Sequence, residues 1–414
     1  MSDHIRGGES TRREYLKYGG AVLTGGLLAG CTGSSDTGTQ GETVTETTAT
    51  PTESTATATE SEETTTEDTS YTVSMSPVGE VEFESPPETV FTRLTHHADM
   101  AFALGHGDTV NAMHAPDYYH DLWNQFVERL PGVSLDWRGL YSSWEVSKEK
   151  LYELDSDVHL ADPASVLALG SWSVDDIEEI EQNISPWFGN SFSARHQTPP
   201  DSWEGDYEYP GLWEQFEKVA QVFQATDRYE ALASIRNDLL TTVEENLPPE
   251  SERPTAVMVG SSDIEGDIWA YTLSNPGFLT AHTRPLGPRD AFDGSVESGT
   301  VVDLEALLEA DPDVMLLLGG MLPTTDMGEL RETLESNAVG GEITAVKNGR
   351  VHPQGARYQG PILNLFQLEM TAKQLYPELF GEWPTYENGP YPEIPEEEQL
   401  FDRQRVADII DGDI

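Results

Sequence analysis

The sequence predicts an α/β protein of two lobes with mostly parallel sheets, joined by a long rigid helix, with a ligand cleft between the lobes. Three observations predict it. Strand-like and helix-like segments alternate on both sides of residues 212–247, and such alternation argues for parallel sheets. Residues 212–247 carry an apolar stripe at helical spacing: Leu212, Phe216, Val219, Ala220 and Phe223, then, after Ala225-Thr226, Leu232, Ile235, Leu239, Val243 and Leu247. Finally, Glu153-Leu154-Asp155-Ser156-Asp157-Val158 is echoed by Glu309-Ala310-Asp311-Pro312-Asp313-Val314. Each copy sits between a helix and an apolar strand, as duplicated lobes would place it.

Residues 1–31 are an address rather than a fold. Thr11-Arg12-Arg13-Glu14-Tyr15-Leu16-Lys17 resembles the twin-arginine export signal, and Leu28-Ala29-Gly30-Cys31 resembles a lipobox, with Cys31 the lipidation residue. Residues 32–70 are rich in Thr, Ser and Glu and carry no Lys or Arg, so they cannot bury enough apolar surface to fold. As a flexible tether they would span roughly 35 Å.

The first lobe is expected over residues 71–210. Thr72–Glu84 alternates as an edge hairpin does. Thr89–Leu94, Val110–His114, Val158–Leu160 and Ile184–Phe188 read as strands. Helices are expected at Ala98–Leu104, after a Ser147 cap through Leu154, and after a Ser173 cap through Glu181. The helical linker is residues 211–249; Asp227 with Glu230 opens its second segment and Pro248-Pro249 ends it. The second lobe is residues 250–380. Strands are expected at Thr255–Val259, Ile268–Leu273, Val314–Leu318 and Arg350–Pro353. Helices follow Asp303, Thr325 and Pro361, the last with Ile362, Leu365, Phe366, Leu368, Ala372 and Leu375 on its apolar side. Residues 381–414 are a C-terminal extension.

Composition narrows the partners. The chain has 74 acidic and 23 basic residues, a net charge of −51, and six lysines. That charge repels nucleic acid and anionic membrane, leaving a lipid anchor as the sole membrane contact. It suits high salt, because at molar ionic strength the Debye length falls to about 3 Å. The one cysteine rules out an intrachain disulfide. There is no Gly-x-Ser-x-Gly, Walker or His-Glu-x-x-His motif, and the chain reads as no enzyme.

Four further motifs, in order, resemble the ferric-siderophore and cobalamin class of ABC-transporter substrate-binding proteins, the helical-backbone class III. They are Pro86-Pro87-Glu88-Thr89-Val90 with Phe102-Ala103-Leu104-Gly105; Leu308–Val314; Ala345-Val346-Lys347-Asn348-Gly349-Arg350-Val351; and Leu375-Tyr376-Pro377-Glu378-Leu379-Phe380. The likeness spans about residues 72–380, and its charge pattern is that of haloarchaeal proteins. It implies a monomer that captures a ferric siderophore or similar chelate and passes it to an ABC permease. The iron would travel in its chelator, so the protein needs no cofactor or metal ligand of its own. Three stretches depart from the family pattern: the aromatic insert 116–144, the run 189–210, and the tail.

For a chelate the cleft needs aromatic walls and a few fixed donors, and arginine meets carboxylate or catecholate oxygens in pairs. The candidates are Trp137, Arg138, Tyr141, Arg195, Trp269, Tyr271, Arg284, Arg357 and Tyr358, with Arg289, Trp144 and Trp187 behind them. Arg357-Tyr358 and Trp137-Arg138 with Tyr141 lead. Cobalamin, haem or a free metal ion are alternatives within the same fold, the last two engaging histidines such as His96-His97. A surface adhesin or carbohydrate-active lipoprotein is the alternative outside it.

Overall fold

Short apolar strands alternating with helices build two separate sheets. The computed structural model describes residues 70–414 apart from 195, 196, 206 and 262, and residues 70–414 form one compact unit. The export signal, Cys31, residues 32–69 and Arg195 lie outside the described residues.

Strands β1 (Tyr71–Met75) and β2 (Gly79–Phe83) form the expected antiparallel hairpin. The first lobe follows: β3 (Val90–Thr92), α1 (Thr95–Ala103), β4 (Val110–Met113), α2 (Pro116–Val127), β5 (Tyr141–Ser142), α3 (Lys148–Leu154), β6 (Val158–Leu160), α4 (Pro163–Leu167) and α5 (Val174–Asn183). Its four strands run in the order β5-β4-β3-β6, all parallel. The fourth strand is β5. The expected strand Ile184–Phe188 is reduced to a single bridge between His159 and Trp187. Pro186 accepts from His159 N but has no N–H to continue a ladder.

The linker is two helices, α6 (Leu212–Val222) and α7 (Thr226–Asn246). The break falls at Gln224, whose φ is 51°. Helix α7 opens at Thr226, after an Ala225 cap with no side-chain hydrogen bond, rather than at the expected Asp227–Glu230 box, because Asp227 already lies in its first turn. At 21 residues, α7 is about 32 Å long. It buries Leu232, Leu239 and Val243 and leaves its other faces at least partly wet.

The second lobe comprises β7 (Thr255–Gly260), β8 (Ile268–Tyr271), β9 (Arg289–Asp290), β10 (Thr300–Val302), α8 (Leu304–Ala310), β11 (Val314–Leu318), α9 (Met327–Ser336), β12 (Val351–Pro353) and α10 (Pro361–Leu375). Its sheet runs β10-β8-β7-β11-β12 with β9 also on β7, and β8 is antiparallel to both its neighbours. Helix α9 starts at Met327 rather than Thr325, because Asp326 accepts from Glu329 N while Thr325 is tied into the turn before it. A last helix, α11 (Arg403–Asp411), belongs to the C-terminal extension.

Helix α10 holds the junction. The sequence shows an apolar side, yet all fifteen of its residues are buried. It packs on α1, α2 and α6 of the preceding chain and on the residues following β12. Asp99, on α1, accepts from Leu363 N at 3.1 Å and so caps α10 from the other lobe. A polar chain runs from Trp213 Nε1 to Asn364 Oδ1 (2.9 Å), from Asn364 Nδ2 to Gln359 Oε1 (2.9 Å), and from Gln359 to His282 Nδ1 (2.6 Å). Burying this chain is tolerable because each of its residues makes at least one hydrogen bond.

Candidate functional site

In parallel sheets, side chains that leave the carboxyl ends of the strands converge on whatever binds there. In the first lobe these ends deliver Arg93 after β3, His114 after β4, Trp144 after β5 and Asp162 after β6. In the second, the end of β12 delivers Arg357 and Tyr358. The two sets meet: Thr95 Oγ1 donates to Tyr358 O at 2.6 Å.

Arg357 is the centre of the second lobe's contribution. Its Nη1 donates to Tyr271 Oη at 3.2 Å, and its guanidinium lies 4.5 Å from the Tyr358 ring centre and 5.8 Å from that of Tyr271. Burial acts against its charge, but the oxygens of Tyr358, Tyr271 and Tyr119 outweigh it and its pKa moves up. Tyr119 comes from α2 of the first lobe, so phenols of both lobes act on the charge of one cation.

Across from it, Arg93 is buried and donates through Nη1 to Ser165 Oγ at 2.9 Å. Burial pulls its pKa down, and Tyr358 and Asp162 pull it back. Tyr358 therefore interacts with both arginines. Asp162 fixes this corner: it accepts from Ala164 N (2.8 Å), Ser191 N (2.8 Å) and Tyr207 Oη (2.5 Å), and burial raises its pKa to about 6. An aromatic wall adjoins, with the His114 ring 4.4 Å from Trp144 and 5.3 Å from Tyr119.

Of the residues singled out in the sequence, the structure brings together Arg357, Tyr358 and Tyr271, with Trp269 two residues along β8 on the Tyr271 face. It takes others elsewhere. Trp137 is buried in the first lobe's core against Trp123, 5.5 Å away, and so presents no surface to a cleft. Arg138 is exposed and paired with Asp121 at 3.1 Å. Tyr141 packs on the lobe core beneath Lys150. Arg284 folds its own loop, donating to Asn275 O (2.6 Å) and Gly277 O (3.2 Å). Arg289 donates to Arg253 O, and Trp187 is core.

Sequence reasoning missed Arg93 and Tyr119. The expected strand Thr89–Leu94 encloses Arg93, whereas the strand ends at Thr92, and the position of Arg93 at a strand's carboxyl end is the available signal.

The arrangement can hold an anionic, oxygen-bearing solute with flat faces. Among the described residues, no group of three or more His, Cys, Asp or Glu could hold a metal ion. Residues 99–356, more than half of the chain, match the family model described as periplasmic binding protein.

The chain belongs to the periplasmic binding protein family. Members are non-enzymatic substrate-binding components of ABC importers. This periplasmic binding protein resembles solved structures of the same two-lobed fold. One is the iron uptake ABC transporter substrate-binding protein PiuA from Streptococcus pneumoniae (20% identity, 73% of this chain, 98% of that chain, TM-score 0.50). Another is the periplasmic catecholate-siderophore binding protein VctP from Vibrio cholerae (18%, 74%, 99%, 0.51). A third is CeuE from Helicobacter pylori with Ni(II) bound (13%, 75%, 90%, 0.50). At these identities the likeness establishes a shared fold. No curated protein sequence matches the chain. Among the described residues, no helix of the binding protein is long and apolar enough to cross a membrane.

Proposed function

We propose that this binding protein captures a ferric siderophore outside the cell and hands it to an ABC permease. It would act as a monomer, exported by the twin-arginine route and anchored through a lipid on Cys31, in a salt-rich medium. The observation that carries the reading is the Arg357 cluster: a cation framed by Tyr271, Tyr358 and Tyr119, with Arg93 on the facing lobe. Two guanidinium groups match the negative oxygens of a chelate, and phenols and rings match its organic scaffold. The iron would stay in its chelator. Two of the structural relatives are named for iron uptake and for a catecholate siderophore, which supports the same class.

The test is a tryptophan-fluorescence titration of the full chain in molar KCl, with ferric catecholate, ferric hydroxamate, cobalamin, haemin and Zn²⁺. One ferric chelate should quench saturably. Arg357→Ala should weaken it by roughly 10- to 100-fold, the worth of a hydrogen bond to a charged group. Saturation by cobalamin, haemin or Zn²⁺ alone would replace the ligand class. Silence across the panel would sink the reading and favour an adhesin or carbohydrate ligand.

A further inference from the structure

We propose that residues 381–414 are a strap that acts as a limit stop on the separation of the two lobes. The strap lies outside the residues that match the family, which end at 356. It is tied to each lobe by backbone hydrogen bonds a few residues apart. On the second lobe, Met327 N and Arg331 Nη1, both of α9, donate to Glu387 O (2.7 Å) and Tyr386 O (2.8 Å). On the first, Tyr391 N donates to Gln125 O of α2 (2.7 Å), and Arg129 Nε donates to Tyr391 O (2.5 Å). Four residue steps separate Glu387 from Tyr391, so a taut chain between them reaches at most about 14 Å. Helices α9 and α2 cannot part further without breaking one set of bonds.

Both sides of the crossing are anchored more deeply than a surface tail would be. Before it, Lys373 Nζ of α10 donates to Phe380 O at 2.6 Å. After it, Glu369 of α10 gathers three donors: Tyr391 Oη (2.7 Å), Leu400 N (2.7 Å) and Arg403 Nη2 (2.6 Å). Tyr391 and Phe401 pack on Phe366 of α10, each with ring centres 5.0 Å apart. Helix α11 then lies on α7, the linker helix. The strap therefore touches the second lobe, the first lobe, the junction helix and the linker in turn. With these fixed, the strap sets an upper limit on how far the cleft can open.

The crossing itself is accessible: Glu387, Asn388 and Pro390 are exposed, and Gly389 has open space around it. The test uses the full chain with Cys31→Ser, which removes its one cysteine. Spin labels go on Glu149→Cys of α3 and Glu305→Cys of α8, both exposed positions. A sequence-specific protease site is inserted between Gly389 and Pro390. Cutting leaves every anchor in place and removes only the continuity. Pulsed electron-electron resonance should give one narrow lobe–lobe distance before cutting, and a broader distribution shifted outward after it. An unchanged distribution would overturn the proposal. So would loss of the circular dichroism signal on cutting, since the strap would then be part of the core and not a stop.

Discussion

The two lobes are most alike at the amino ends of their strands and least alike at the carboxyl ends. At the amino ends the echoed sequence becomes the same device twice. Asp155 and Asp311 close α3 and α8 in the left-handed region, with φ of 44° and 42°. Asp157 Oδ2 then accepts from Thr89 N (2.8 Å) and Thr89 Oγ1 (3.0 Å), and Asp313 Oδ2 accepts from Thr255 N (2.8 Å) and Thr255 Oγ1 (2.8 Å). Each aspartate also returns a bond from its own N–H to the threonine hydroxyl, at 3.1 Å and 3.0 Å. Each thus pins the start of one parallel strand to the start of its neighbour. At the carboxyl ends nothing repeats: one lobe supplies Arg93, His114 and Trp144, the other Arg357, Tyr358 and Tyr271. The shared ends keep the lobes folded; the divergent ends carry the candidate site.

The largest expected effect separates the ends by acidity. Buried neutral histidines gather where the lobes meet: His96 stacks on Phe278 with ring centres 4.3 Å apart, and His282 bonds Gln359. Burial lowers His96 and His282 to about 3. The unfolded chain takes those protons near 6.5, so stability present above that pH is lost as pH falls toward 3. Asp99, raised to about 7 by burial, works the other way, because the native state takes its proton first. Histidine loss should dominate below pH 6. His282→Gln should flatten the decline by up to about 1.4 kcal/mol per pH unit, the limit being approached near pH 5, as measured by urea unfolding at pH 7, 6 and 5 in molar KCl. An unchanged slope would remove the junction histidines from the account.

A middle-sized effect tests whether the two aspartate pins are equal. Asp313 is half-buried and Asp157 exposed. Asp313→Ala should cost about 1–3 kcal/mol, because its donors lose a partner away from water. Asp157→Ala should cost less, since water can replace the carboxylate. Equal losses in urea melts would break this distinction. The smallest effect concerns the caps of α3 and α8. Ser147 accepts from Lys150 N at 3.3 Å and Asp303 from Ala306 N at 2.9 Å. Each alanine replacement should cost about 1 kcal/mol. Asp303→Ala should cost a few tenths more in low salt, through the helix dipole, and that excess should vanish in molar KCl. A persistent excess would point to packing instead.

Much of the fold was legible because its signals are local. Ser147, Ser173, Asp303 and Pro361 open helices where their capping chemistry predicts, and the linker's break and Pro-Pro end are equally local. Helix α2 is masked by its own composition. Tyr119, Trp123, Phe126 and Val127 fall at helical spacing after Pro116 and Asp117, yet the density of rings marks the stretch only as an aromatic insert outside the family pattern. The tail carries an equally local signal, since Asp402 caps a helix with Val406, Ile409 and Ile410 at helical spacing. At the site, residue type was a sound guide and position was not. Arg138 and Arg284 differ from Arg357 only in what the folded chain sets beside them: a surface carboxylate, loop carbonyls, or phenols of both lobes.

The cap that Asp99 places on α10 joins residues 264 positions apart. A chain emerging from the ribosome therefore cannot finish its first lobe when that lobe has been made. The faces of α1, α2 and α6 that α10 covers stay bare until nearly the whole protein has been synthesised. Contacts so distant in sequence make folding slow, because the loop must close before the contact rewards it. The unfinished first lobe is consequently the species most prone to aggregate, and whatever shelters the newborn chain must hold it past residue 375.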